Sequence, residues 1–296
     1  MNACVIAENA AAAAELCAGA RAMAGTVVLV APGVEPVTGV ADKVVHIDVP
    51  EGSAIDDAYL SVNAVVDGEG AFIVIVEPTR RCKALAGRLA AHRGTAAITD
   101  VIEFDGDAAC AMYFGGVGQR KSKSAGDLAV YTVGAGVFDA SQASGTDVVE
   151  EAEFQAPERA VRVVGAKDLP KSDVDLVAAD VVVAGGRGFA EESELGLMRD
   201  FAAKLGGECG CSRPLAEGVD WMPREAYIGV SGVMVSPKVY VGVGVSGQMQ
   251  HMVGVTGADT IVAINKDANA PVFKQADYGL VADLQEVLPV LSEKLA

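Results

Sequence analysis

Four apolar runs in the second half of the chain each end in residues that can do recognition chemistry. Arg187 follows Asp180–Ala184 after two glycines. Ser246, Gly247, Gln250 and His251 follow Val239–Val243. Asn265, Lys266 and Asp267 follow Thr260–Ile264, and Asp283 follows Gly279–Ala282. In an open parallel sheet the carboxyl ends of the strands form one edge, and ligands bind in the crevice outside it. The four groups would share that edge. Together they suit a phosphorylated, hydroxyl-rich molecule. Glycines at a helix start let backbone N–H groups approach a phosphate, and the helix dipole favours its charge. Arg187 would add a charge-assisted contact. Asn265 and Asp283 would hydrogen-bond ribose or ribityl hydroxyls. No nucleophile with a convincing general base accompanies them.

Each feature has a plainer reading. Glycine turns after strands are common. A lone histidine such as His251 is more often a surface or capping residue than a catalyst. Arg187 has Glu191 and Glu192 close by in sequence as ion-pair partners. Convergence at one sheet edge is what favours a site. Residues 167–296 carry 11 Lys and Arg against 18 Asp and Glu. A pyrophosphate there would depend on helix N-termini and one or two placed arginines, not on a broad basic field.

The elements that must position these residues alternate in type. In the first half, Ala3–Ala7, Thr26–Ala31, Val44–Val49 and the continuous apolar run Ala71–Val76 read as strands, the last buried on both faces. Ala10–Met23 and Arg80–His92 read as helices. Strands alternating with helices predict an α/β domain with a parallel sheet. Ala109–Phe114 and Leu128–Val133 read as an antiparallel hairpin around a basic turn of Arg120, Lys121 and Lys123. Asp139–Pro157 has no clear period. Ala160–Val164 reads as the last strand of this half.

Charged residues and Pro170 in Lys167–Asp175 mark a domain boundary, giving domains 1–168 and 172–296. In the second domain Ser193 is the expected N-cap of a helix over Glu194–Leu205, with Leu197, Phe201 and Leu205 on its buried face. Tyr227–Val230 is expected as a short strand, Gln248–Val253 as helical and Leu284–Leu295 as the closing helix. The repeat of strand, turn and helix is Rossmann-like but lacks the full GxGxxG fingerprint.

The chain has 296 residues, a net charge of −17 and 5% aromatic residues. That composition argues against a nucleic-acid partner, which needs clustered Lys and Arg or stacking rings. Six cysteines stand without a CxxC pair, and the three histidines are scattered, which argues against a structural zinc site and for a reducing compartment. The N-terminal stretch lacks a basic region before its alanines, and Glu8 and Glu15 interrupt it, unlike a signal peptide. No apolar run approaches the ~20 residues that span a bilayer. A soluble, cytoplasmic protein with no membrane insertion is expected.

The second half resembles the C-terminal FAD-binding domain of the electron-transfer flavoprotein alpha subunit family. The matching stretches are Val-Val-Val-Ala-Gly-Gly-Arg-Gly (181–188), Cys-Ser-Arg-Pro (211–214), the run from Ser236 to His251, the run from Ile261 to Phe273, and Ala-Asp-Tyr-Gly-Leu-Val-Ala-Asp-Leu (276–284). They cover roughly residues 178–296 in collinear order. The first half resembles the family's N-terminal domain more weakly, through Tyr113-Phe114-Gly115-Gly116 and the strand near 128–138.

The resemblance implies one bound FAD and a beta subunit that completes a heterodimer. It implies an electron carrier, not an enzyme, taking electrons from a dehydrogenase of the acyl-CoA type, as in fatty acid β-oxidation, and passing them to an acceptor such as a quinone oxidoreductase. It puts Arg187 on the diphosphate. Ser212 and Arg213 would lie by the isoalloxazine. Ile228, Gly229, Val230 and Ser231 would pass along the flavin, with the Ser231 hydroxyl reaching N5. Ser246, Gly247, Gln248, Met249, Gln250 and His251 would wrap phosphate and ring, His251 near the C2 carbonyl. Asn265, Asp283 and Leu284 would hold the adenosine end. Where the family commonly has Gly-Gln-Thr-Gly-Lys, this chain has Gly229-Val230-Ser231-Gly232-Val233. A hydroxyl is kept, while a polar and a cationic side chain are lost. The rival reading is an NAD- or nucleotide-binding enzyme of the deoxyhypusine-synthase-like fold. A third is a nucleotide sensor that uses the first half alone.

Overall fold

The computed structural model describes residues 1–114, 118–166 and 174–295. They form two compact units, one from residues 1–113 and 118–166 and one from residues 174–295. The boundary expected at Lys167–Asp175 and the stretch Gly115-Gly116 lie outside the described residues or nearly so, with only Val174 and Asp175 described.

The first unit runs β1 (Asn2–Ile6), α1 (Ala10–Met23), β2 (Thr26–Pro32), β3 (Lys43–Ile47), α2 (Tyr59–Glu69), β4 (Ala71–Val76), α3 (Arg80–His92), β5 (Ala97–Asp105), β6 (Ala108–Tyr113), β7 (Gly118–Ser122), β8 (Ala129–Val133) and β9 (Val149–Ala152). Its nine strands are ordered β7-β6-β5-β8-β4-β1-β2-β3-β9. Every pairing is parallel except β5 with β6 and β6 with β7. Strand residues alternate between two apolar layers. Ile6, Val28, Val30, Val74 and Val76 pack with Val62 and Val66 of α2 and Leu85 and Leu89 of α3. Val5, Leu29 and Ile75 pack with Leu16 and Cys17 of α1 on the other face. Burial on both faces is why Ala71–Val76 reads as an unbroken apolar run.

Three expectations for this unit are corrected. The hairpin is β6 with β7, and Arg120 and Lys121 lie on β7 itself, an edge strand. Residues 129–133 form an inner strand, parallel to both β4 and β5. Ala160–Val164 forms no strand. It makes one isolated bridge, Arg162 to Ser53, and the last strand of the sheet is β9, inside the stretch that showed no period.

The second unit runs β10 (Val181–Gly185), α4 (Leu195–Lys204), β11 (Glu208–Cys211), α5 (Arg213–Glu217), β12 (Val239–Val243), α6 (Met249–Met252), β13 (Thr260–Asn265), β14 (Tyr278–Val281) and α7 (Leu284–Lys294). Its sheet, β11-β10-β12-β13-β14, is parallel throughout. Val183, Val241, Val243 and Ile264 pack against Leu195, Met198 and Phe201 of α4 and Leu288 of α7. Val182, Ala184, Tyr240 and Ala263 face Ile228, Met252, Val255 and Val272.

Two expectations change here. Ser193 does not cap α4. Glu191 and Glu194 form a reciprocal capping box around a short 3-10 turn, and the helix begins at Leu195. Its most buried face is Leu195, Met198, Phe201 and Ala202, with Leu197 and Leu205 only partly buried. Tyr227–Val230 is not a strand but a looped segment with isolated bridges, Cys211 to Tyr227 and Ile228 to Val233. Among the described residues no helix is long and apolar enough to cross a membrane. All six cysteines are free, and five are buried.

Candidate functional site

The chain leaves β10 through α4 to β11 on one side, then returns to place β12 on the other. Strand order therefore reverses between β10 and β12, where crevices form in open α/β sheets. The turns leaving these strands press backbone on backbone. Gly186 N–H donates to Val243 O at 2.9 Å and Gly188 N–H to Gly244 O at 3.0 Å. Gly244 sits at φ +62, and a Cβ on it would stand 2.8 Å from Gly188 Cα. A Cβ on Gly188 would stand 2.6 Å from Gly244 Cα. Side chains at either position would drive the turns apart.

A cleft of about 90 Å³ opens beside these turns. Gly188 and Gly244 line one end, and Asn265, Lys266, Asp283 and Leu284 line the rest. Asn265 is fixed from both sides. Its amide donates to Val245 O at 2.9 Å, and its carbonyl accepts the Asp267 N–H at 2.9 Å. Asp283 is the N-cap of α7, accepting the Gln285 N–H at 2.9 Å. A carboxylate already at that helix start disfavours a phosphate there and suits hydroxyl groups. Arg187 and Lys266 are exposed, and neither forms an ion pair among the described residues. Arg187 thus has no pairing with Glu191 or Glu192.

A second set of predicted residues gathers where β11 ends. Ser212 N–H donates to Gly185 O at 2.8 Å, and Ile228 N–H to Cys211 O at 2.9 Å. Val230 N–H donates to Gln250 O at 2.9 Å, which ties the 228–231 segment to α6. Val230 and Met249 are 52% and 40% exposed, an apolar surface beside that bond. The Ser231 hydroxyl lies 3.2 Å from that of Tyr227. Gly247, at φ +82, is packed against the Val272 backbone, and Ser246 O accepts the Val272 N–H at 3.1 Å. Gln248 is the residue before α6.

Two of the residues have side-chain partners within the chain. Arg213 turns to its own helix, donating from Nε to Glu217 at 2.8 Å. His251 is buried, with Nε2 2.6 Å from the Tyr240 hydroxyl and Nδ1 3.0 Å from Ile228 O. Burial lowers its pKa to about 4, with the Ile228 contact opposing. His251 is a neutral internal group here, not a cation at the site. Tyr240 had no signal in the sequence, since one tyrosine in an apolar strand reads as core. The close approach of Gly188 and Gly244 was legible only as glycine-rich turns.

The profile of the electron transfer flavoprotein domain matches residues 4–158, and that of the electron transfer flavoprotein FAD-binding domain matches residues 175–256. The chain belongs to the electron transfer flavoprotein family. It is 40% identical over 256 residues to Protein FixB of Salmonella typhi and of Escherichia coli O157:H7, covering 83% of this chain and 81% of each relative. It is 40% identical over 242 residues to the putative electron transfer flavoprotein subunit YdiR of Escherichia coli K12, covering 80% and 78%. FAD is the cofactor of the matched domain, and alpha-type chains of this family pair with a beta subunit.

The residues present fit the adenosine and diphosphate half of FAD. Gly188 and Gly244 line the cleft with bare backbone, packed too closely on each other for a side chain at either position. Beside it stand a fixed amide, a carboxylate at a helix start and two exposed cations.

Proposed function

We propose that this chain is the alpha-type subunit of a cytoplasmic electron carrier, with FAD held by residues 172–296 and the domain of residues 1–168 serving the beta-type partner. The observation that carries the reading is the cleft beside the Gly188–Gly244 contact, at the point of reversed strand order. Arg187 binds the diphosphate. Asn265 and Asp283 hold adenosine-side hydroxyls, and Leu284 packs beside them. Ser212, Arg213 and the Ile228–Ser231 segment flank the isoalloxazine, with Ser246–Gln250 along its other part. Bound FAD supplies the redox chemistry, and the protein supplies orientation, electrostatics and exclusion of water. With the redox chemistry supplied by FAD, the chain serves as a carrier and not as an enzyme. The donor is a dehydrogenase of the acyl-CoA type and the acceptor a quinone oxidoreductase.

The test is co-expression with the cognate beta-type subunit. A yellow heterodimer with one FAD in this chain, and an interface of roughly 2,000 Å² or more, is expected. A colourless monomer that binds NAD would overturn the reading in favour of a nucleotide-binding enzyme.

A further inference from the structure

We propose that Tyr240 is a positioning residue that holds the Ile228–Ser231 segment through His251, a role that rests on reading that segment as the flank of the flavin. Tyr240 is fully buried on β12, in an apolar layer with Val182, Ala263 and Val255. A hydroxyl and an imidazole in such surroundings cost free energy unless both are hydrogen-bonded. Here each satisfies the other, and the geometry fixes the direction of every bond. Ile228 O accepts only, so His251 Nδ1 at 3.0 Å carries a proton. In the neutral ring Nε2 then accepts, and the Tyr240 hydroxyl at 2.6 Å donates to it. The proton order runs from Tyr240 to His251 to the Ile228 carbonyl.

That last bond falls on backbone outside any helix or strand. The neighbouring anchors are main-chain bonds, Ile228 N–H to Cys211 O, Gly229 N–H to Val233 O and Val230 N–H to Gln250 O, and the contact between the Ser231 and Tyr227 hydroxyls. The Ile228 carbonyl is a main-chain group of this segment held by a side chain from another element. Phenylalanine at 240 would fill the same space but give Nε2 no donor. Nδ1 keeps its proton for the Ile228 carbonyl, but the buried Nε2 lone pair is left without a donor, a cost relieved only when the ring turns away from Ile228. That turn releases the carbonyl and loosens the segment.

The experiment uses the full chain in complex with its cognate beta-type subunit, with and without FAD. Nitrogen NMR of the His251 ring is expected to show one neutral form, protonated on Nδ1. Tyr240→Phe is expected to show shifted ring nitrogen signals from loss of the donor to Nε2, amide exchange at Val230 faster by about tenfold, and FAD dissociation faster by about tenfold, the scale of one lost hydrogen bond. A wild-type ring protonated on Nε2 overturns the proposal without any variant. So does a Tyr240→Phe protein with unchanged ring signals and unchanged Val230 exchange. Faster Val230 exchange with unchanged FAD dissociation overturns the link to the flavin. Wild-type complex that binds no FAD would overturn the carrier reading instead, while the ring signals and Val230 exchange still decide whether Tyr240 holds the segment.

Discussion

Glu77 closes the start of the helix that follows Asn9. Its carboxylate accepts the Asn9 N–H at 3.1 Å and the Asn9 side-chain amide, and also the Glu8 N–H at 2.6 Å. Glu77 is 6% exposed, at the end of β4 beside the end of β1. Strand order in the first sheet reverses between these two strands, β2 and β3 lying on one side of β1 and β4 on the other. The place where a nucleotide phosphate would meet α1 therefore holds a carboxylate of the protein itself. Helix α1 has no acidic residue in its first turn, so Glu77 is the anion facing its dipole. Glu77→Ala is expected to lower the melting temperature by roughly 3–12 °C, from charged hydrogen bonds worth ~1.5–3 kcal/mol. Sulfate is expected to raise the melting temperature of the variant more than that of the wild type, which it stabilises only by its general exclusion from the surface. Equal sulfate responses in differential scanning calorimetry would show that no anion place is vacated.

Arg187 is exposed and unpaired among the described residues, beside the glycine turns. Arg187→Ala is expected to weaken FAD binding roughly 10- to 100-fold, the scale of a charge-assisted contact. Stability without FAD should be unchanged, because the side chain is not core. The measurement is fluorescence titration of FAD into the deflavinated complex, beside thermal melts of the same samples.

Gly244 makes a second case at that cleft. Alanine at φ +62, within 2.8 Å of Gly188 Cα, is strained both by conformation and by contact. Gly244→Ala is expected to cost more than ~1 kcal/mol of stability and to abolish FAD retention on gel filtration. Retained flavin would show that the Gly188–Gly244 contact does not shape the cleft.

Much of the fold was legible because burial follows period. Ala10–Met23, Ala71–Val76 and Arg80–His92 match the structure to the residue, as does Val239–Val243. Their apolar faces are complete in local sequence. What failed depends on distant partners. Ala160–Val164 is β-branched enough for a strand but makes one bridge, to Ser53, with single bonds from Val161 N–H to Asp57 and Val163 N–H to Gly52 O beside it. Val149–Ala152, rich in Glu, is a strand because it borders β3, where Glu151 reaches His46 at 2.9 Å and Glu150 reaches Lys43 at 2.9 Å. At the site, the residues on turns were readable from their types. The Tyr240–His251 bond was not, because no sequence spacing shows that a strand tyrosine and a helix histidine meet in one apolar layer.

His251 should make the second unit acid-sensitive. Its folded pKa, about 4, lies below the ordinary value of 6.5 because burial disfavours the cation. Between these values the unfolded chain binds the proton and the folded one does not. Its contribution is therefore fully present above about pH 6.5, falls as pH drops through that window and is lost near pH 4. The loss is of the order of 2–4 kcal/mol, at 1.36 kcal/mol per pH unit of displacement. Urea denaturation of wild type and His251→Gln across pH 4–7 tests it. The variant should show a shallower decline, and parallel curves would assign the acid sensitivity to other groups.

Arg213, proposed above to flank the isoalloxazine, would bear on the electronics of bound FAD. Its Nε lies 2.8 Å from Glu217 Oε2, and Arg224 lies 3.3 Å from Glu217 Oε1, so two guanidinium groups share one carboxylate. The Arg213 side chain is 67% exposed. An exposed pair of this kind is worth ~0–1 kcal/mol, so little holds Arg213 against Glu217 when an electron-rich ring is adjacent. A cation there favours the reduced, more negative flavin. Arg213→Ala should therefore lower the first one-electron potential. A fully engaged charge would give ~60–130 mV, from 1.5–3 kcal/mol and ~59 mV per tenfold. Solvent screening of an exposed side chain puts the expected drop at about 60 mV or less. Glu217→Gln should move the potential the other way, because it frees the same guanidinium. The measurement is a spectroelectrochemical titration of wild type and both variants at matched flavin occupancy. Opposite shifts from the two variants place Arg213 beside the ring. Coincident curves for all three would leave Arg213 as a surface partner of Glu217 and remove it from the site.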